Sequence, residues 1–105
     1  MKRKYYLIAK KIKEALSDSV QLTDFRVFGS TARGDEDQYS DMDVYLEVLK
    51  INKTIKNKIF DIIWDIGFKN YMVISPIIYT KNEITNTPLR SSPLIKNISK
   101  EGIKV

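Results

Sequence analysis

Hydrophobic residues recur along this chain in two rhythms. Over residues 4–17, Leu7, Ile8, Ile12, Ala15 and Leu16 fall at helical spacing while Lys10, Lys11, Lys13 and Glu14 fill the opposite face, which predicts an amphipathic helix. Residues 53–66 repeat the pattern with Ile55, Ile59, Ile62, Ile63 and Ile66 on one stripe, and Gly67 follows as the expected stop. Between and after these helices the rhythm changes. Gln21–Phe28, Met42–Leu49 and Tyr71–Tyr79 are rich in β-branched and aromatic residues and read as three strands. Pro76 interrupts the third, and because proline brings no ladder donor it points to an edge strand or a bulge. A turn-rich stretch, Lys81–Ser92, leads into a last short helix, Pro93–Lys100, whose proline suits the first helical position. Gly29 ends the first strand, and a loop with one short helix starting near Ser30 fills the gap to the second.

At 105 residues the chain can build one modest core, so a single domain over 1–105 is expected. Hydrophobic residues make up 43% and charged residues 30%, an ordinary globular composition rather than a disordered one. Lysines break up the apolar stretch near the basic N-terminus before a signal-peptide core or a membrane span could form. A cytoplasmic protein without membrane contact is expected. The formal net charge of +5 would suit a polyanion, but the lysines are spread along the chain and no nucleic-acid-reading motif accompanies them. Nucleic acid is therefore a weak expectation as partner.

Cysteine and histidine are both absent. That removes thiolate nucleophiles, imidazole bases and the usual zinc ligands together, so any bound metal must be hard and held by oxygen, such as Mg²⁺ or Mn²⁺. Against this background one segment stands out. Between Asp35 and Glu47 the chain places six carboxylates, Asp35, Glu36, Asp37, Asp41, Asp43 and Glu47, with no basic residue among them. Clustered like charges repel, so such a group persists only if it is well solvated or holds a cation. Asp41 and Asp43 are two apart on a strand pattern, which turns both side chains to one face with Cα atoms roughly 6–7 Å apart. They can reach one ion, or a pair about 3.5–4 Å apart. Upstream, Gly29 permits a sharp turn and Ser30 can open a helical turn whose free N–H groups suit phosphate oxygens.

The two halves together, G-S-T-A-R-G from Gly29 and S-D-M-D from Ser40, resemble the signature of the DNA polymerase β-like nucleotidyltransferase superfamily. The short length and the A-R-G extension resemble its minimal nucleotidyltransferases, and the C-terminal segment from Ser92 resembles the close of some small members. The resemblance implies an α/β (α+β) fold, a small mixed sheet flanked by helices. It implies that Asp41 and Asp43 are catalytic and hold Mg²⁺ (or Mn²⁺), with Gly29 and Ser30 gripping the phosphates of a nucleoside triphosphate, ATP foremost. Arg33 has two readings of equal standing, a phosphate contact or an ion pair with Asp35 or Asp37.

The pattern departs from active members at one place. They bring a third carboxylate from the next strand, and the best-aligned position here is Ser75, with no acid from Phe68 to Asn82. Glu47 shares the face of Asp43 but lies roughly 13 Å along the strand, too far to substitute. Two functional expectations follow: transfer of AMP from ATP to an unknown acceptor, or a catalytically weak nucleotide-binding, antitoxin-like module acting by contact. The family resemblance implies a small helical HEPN-type protein as partner in either case. Phe60 and Trp64, an i, i+4 pair offset from the isoleucine stripe, can either widen the buried face or anchor an interface, and the edge strand leaves room for a homodimer.

Overall fold

The structure is a computed structural model and describes residues 1–105. Its elements run α1 (Arg3–Ser19), β1 (Leu22–Phe28), α2 (Gly29–Arg33), β2 (Met42–Val48), α3 (Lys53–Lys69), β3 (Ile74–Thr80), α4 (Lys81–Asn86), a 3₁₀ turn (Pro88–Ser91) and α5 (Pro93–Glu101). The sheet is mixed, in the order β1-β2-β3, with β1 and β2 antiparallel and β2 and β3 parallel. The α+β expectation is met. β3 is an edge strand, which explains how Pro76 is tolerated opposite Val44.

β2 is central and covered on both faces. Its even-numbered residues Met42, Val44, Leu46 and Val48 join Ile8, Ile12 and Leu16 of α1 and Ile59 and Ile63 of α3 in the main core. Its odd-numbered Tyr45 packs with Ile95 and Ile98 of α5 on the other face. A period of two along the strand thus separates two layers, and the same alternation sends Asp43 to the α5 side. The C-terminal tail covers part of β1: the N–H of Val27 donates to the carbonyl of Ile103 at 2.9 Å, and the N–H of Ile103 donates to the carbonyl of Val27 at 2.8 Å. Such pairing closes a sheet edge that would otherwise offer free backbone groups.

Three boundaries differ from the sequence expectation. Gly67 does not stop α3, which runs on to Lys69; a Cβ there would meet the carbonyl oxygen of Met72 at 2.8 Å, so the glycine serves close approach. The reversal falls instead on Tyr71, whose φ of 57° and position at the surface exclude it from β3, and that strand starts only at Ile74. The turn-rich stretch contains α4, closed at its start by a capping box in which Thr80 and Glu83 each bind the other's backbone N–H.

Tyr45 carries a consequence for stability. Burial first, then the nearby Glu47 and Asp24 carboxylates, push its hydroxyl up to about 12, with Arg26 opposing. A folded value above the unfolded one near 10 gives a contribution fully present below pH 10 and lost as pH climbs from 10 toward 12. The urea midpoint of the native chain should fall more steeply over that window than that of Tyr45→Phe; parallel curves would refute this.

Candidate active site

The acidic run separates into two groups with different tasks. Asp35 pairs with Arg33 at 3.3 Å. Asp37 accepts the N–H of Tyr39 at 2.8 Å and the Ser40 hydroxyl at 3.2 Å, tying the loop into a tight Asx-type turn. The Glu36 side chain is only 2% exposed and lies 3.2 Å from the Lys2 ammonium, with no hydrogen bond to either oxygen. Glu47 is held from β1 by the Thr23 hydroxyl at 2.7 Å. Asp41 and Asp43 remain, and neither forms an ion pair.

The fold brings three segments to these two carboxylates. Sheet register sets Asp43 between Phe28 of β1 and Ser75 of β3. Gly29 follows Phe28 with φ +71°, and its Cα lies so near Asp43 that a Cβ would stand 2.6 Å from Oδ2. Asp41 sits one residue before β2, where the N–H of Met42 donates to the carbonyl of Val73 and fixes the entry of the chain. The Ser75 hydroxyl then donates to Asp41 Oδ2 at 3.2 Å. Burial, and secondly the neighbouring Asp41 charge, raise Asp43 above the ordinary carboxylate range. The centre is therefore an oxygen-only cluster of negative charge without an ion-pair partner, at the end of the sheet where β2 begins and next to a glycine turn.

A family model for the nucleotidyltransferase domain matches residues 9–105. The chain belongs to that nucleotidyltransferase family. Two solved structures share its fold. One is a candidate nucleotidyltransferase from Sulfolobus solfataricus, with a TM-score of 0.58 and 20% identity over 93% of this chain and 76% of that one. The other is a toxin–antitoxin with AMP-PNP, also at a TM-score of 0.58, with 18% identity over 91% of this chain and 70% of that one. At such identities the likeness is one of fold. Comparison with curated proteins gave no match.

Within this nucleotidyltransferase domain the sequence-predicted residues fall into two places. Gly29, Asp41, Asp43 and Ser75 converge, and Ser30 stands beside them in the first turn of α2. Arg33, at the far end of α2, has its guanidinium on Asp35 at 3.3 Å and Glu101 at 3.6 Å, the ion-pair arrangement of its two readings. The donor set fits a hard divalent cation: two carboxylates, one of them raised by burial and then by the charge of the other, with a hydroxyl at hand and no nitrogen or sulfur donor. No third acid joins Asp41 and Asp43 in a group able to hold one metal ion, so Ser75 has no acidic substitute. The sequence did not announce the burial of Glu36, because a charged loop residue gives no pattern that separates an inward from an outward side chain. No helix is long and apolar enough to cross a membrane.

Proposed function

We propose that this domain is a metal-dependent nucleotidyltransferase that moves a nucleoside monophosphate, AMP from ATP foremost, onto an acceptor supplied by another molecule. The observation that carries the reading is the convergence of Asp41 and Asp43 on the glycine turn at Gly29. Asp41 and Asp43 would hold Mg²⁺ or Mn²⁺, which supplies charge neutralisation at the phosphates. The acceptor hydroxyl attacks the α-phosphorus, its bond to the bridging oxygen breaks, pyrophosphate leaves and the hydroxyl proton passes to solvent. Gly29 and Ser30 align the triphosphate by backbone and hydroxyl donors. Arg33 would have to leave Asp35 and Glu101 to assist them.

Ser75 favours a second reading. It faces Asp43 in register and binds Asp41, in the place where the family resemblance implies a third carboxylate. A hydroxyl cannot take up the acceptor proton as a carboxylate does, so this chain would bind nucleotide and transfer it slowly. A catalytically weak antitoxin-like module, acting by contact with a small helical HEPN-type protein, fits that chemistry, and the toxin–antitoxin neighbour supports it.

The two readings part in one experiment. Calorimetric titration with ATP and Mg²⁺ should show metal-dependent binding, and folded protein that binds no nucleotide sinks both the transferase and the nucleotide-binding module. Ser75→Asp should then raise pyrophosphate release from ATP at least roughly tenfold, the low end of general-base catalysis. An unchanged rate would mean that Ser75 is not what limits transfer.

A further inference from the structure

Of the 18 lysines and arginines, six lie in residues 1–13, where none of the 13 acids falls. The rest of the chain is left with 12 basic and 13 acidic side chains, so the whole net charge of +5 traces to that one segment. Lysines are spread along the molecule, but the excess charge is not. The segment forms the first half of α1. Ile8, Ala9 and Ile12 bury its inner face in the main core, while Arg3, Lys4, Lys10 and Lys11 stand exposed on the outer one. Arg3 and Lys10 are seven residues apart, as are Lys4 and Lys11, which sets two parallel rows over roughly 12 Å of helix. Leu7 lies between the rows and Tyr6 beside the first, 44% and 39% exposed.

None of these four cations forms an ion pair. The acids of neighbouring elements are engaged elsewhere: Glu36 with Lys2, Asp24 with Arg26 and Asp65 with Lys69. Glu14, one turn past Lys10, and Asp18 belong to the far half of the helix, and Asp61 lines a pocket with Asp18 and Lys58 at that end. The charge does not serve the helix itself. Cations in the first turn oppose the helix dipole, and α1 has no acid there and no side-chain cap. Nor does this face suit a protein or a bilayer. Protein interfaces are poor in lysine and rest on large apolar anchors, of which only Tyr6 and Leu7 are on offer. An interfacial helix needs a free apolar face, and that of α1 is spent on the core.

We propose that the outer face of α1 binds the phosphate backbone of a single-stranded nucleic acid, without reading its sequence. Unpaired cations on a solvated face neutralise phosphates and release their counterions, which needs no apolar core. Tyr6 supplies a ring on which a splayed base can stack, and a flexible single strand offers such bases where a duplex does not. Lys2, 3.2 Å from Glu36, sets this end of α1 against the loop that leads to Asp41. The binding rests on the charge of α1 and holds whether or not the transferase reading does.

The probe is a labelled oligouridylate of about 15 nucleotides, followed by fluorescence anisotropy in EDTA so that the metal site takes no part. Binding should be saturable, and log K should fall against log salt with a slope of about −2.8, from four phosphates at ~0.7 each. Lys10→Gln/Lys11→Gln should make that slope shallower by about 1.4. Lys56→Gln/Lys58→Gln, which removes the same charge from exposed positions of α3, should leave it unchanged. Glutamine matches lysine in helix propensity, so both helices are kept. Tyr6→Ala should weaken binding at least about fivefold. No binding at about 50 mM salt, an equal effect of the two lysine pairs, or undiminished binding in Tyr6→Ala overturns the proposal. So does tighter binding of a duplex of the same length, or of phosphatidylserine vesicles at equal phosphate concentration. Calorimetry with ATP and Mg²⁺ keeps the two ideas apart: the α1 variants should still bind nucleotide, and Asp43→Asn should still bind oligouridylate.

Discussion

Asp43→Asn is expected to weaken metal-dependent nucleotide binding sharply and at the same time to raise the melting temperature of the free protein. Both effects come from one carboxylate. Asp43 is half-buried against Gly29, opposite Ser75 and beside Asp41, and forms no ion pair. Burial and the Asp41 charge disfavour its ionised form in the fold, so the folded value lies above the unfolded one. The sign follows: this group supports the fold while protonated at low pH, and that support is lost as pH rises through the raised value. At neutral pH the free protein therefore carries a repulsion that asparagine removes without changing the shape of the side chain. A rise in melting temperature is expected. Affinity for Mg²⁺ and ATP should drop about 100-fold or more, equivalent to ~2.7 kcal/mol. Differential scanning calorimetry and titration on the same preparation check both. Undiminished affinity would remove Asp43 from the site.

Gly29→Ala should damage fold and site together. The position has φ +71°, where an L side chain is strained, and the new Cβ would lie 2.6 Å from Asp43 Oδ2, inside any tolerable contact. Asp43 must then swing away from Asp41, or β1 must separate from β2. A loss of roughly 1–3 kcal/mol in stability is expected from the backbone strain alone. Nucleotide binding should fall with it. Gly34 supplies the comparison: its φ is also positive, +81°, but a Cβ there meets nothing within 4 Å. Gly34→Ala should lose roughly 1–2 kcal/mol from the left-handed conformation and leave nucleotide affinity intact. Urea denaturation and titration of both variants would separate strain from contact. Equal nucleotide affinity in the two would show that the close approach at Gly29 has no bearing on the site.

Much of the candidate site's geometry was legible in the sequence. The Asp41 and Asp43 pair was visible because a strand repeats every two residues, which puts both on one face whatever surrounds them. Gly29 and Ser30 were visible because only a few residue types make the turn that ends β1. Other features carried a local signal that went unread. Thr80 and Glu83 form the T-x-x-E of a capping box, enough to place α4 inside the turn-rich stretch. Gly67 misled for a physical reason: glycine after a helical stripe usually ends the helix, but here it makes room for the Met72 carbonyl. Leu7 belonged to the first helical stripe on spacing alone, yet it lies at the surface while Ile8, Ala9, Ile12 and Leu16 carry the burial.

By itself the sequence determined what depends on near neighbours along the chain: the two amphipathic helices, the three strands, the oxygen-only chemistry of a chain without histidine or cysteine, and the nearness of Asp41 to Asp43. Tertiary structure alone decided everything that depends on register between distant segments. It set Ser75, thirty-four residues from Asp41, within a hydrogen bond of it. It drew Glu36 inward to Lys2, and held Arg33 on Asp35 and Glu101. It also left Trp64 and Phe68 uncovered, although their spacing would equally have suited a core. Periodicity states which residues share a face, but only the packing of α3 against the sheet settles which face meets the core and which stays exposed.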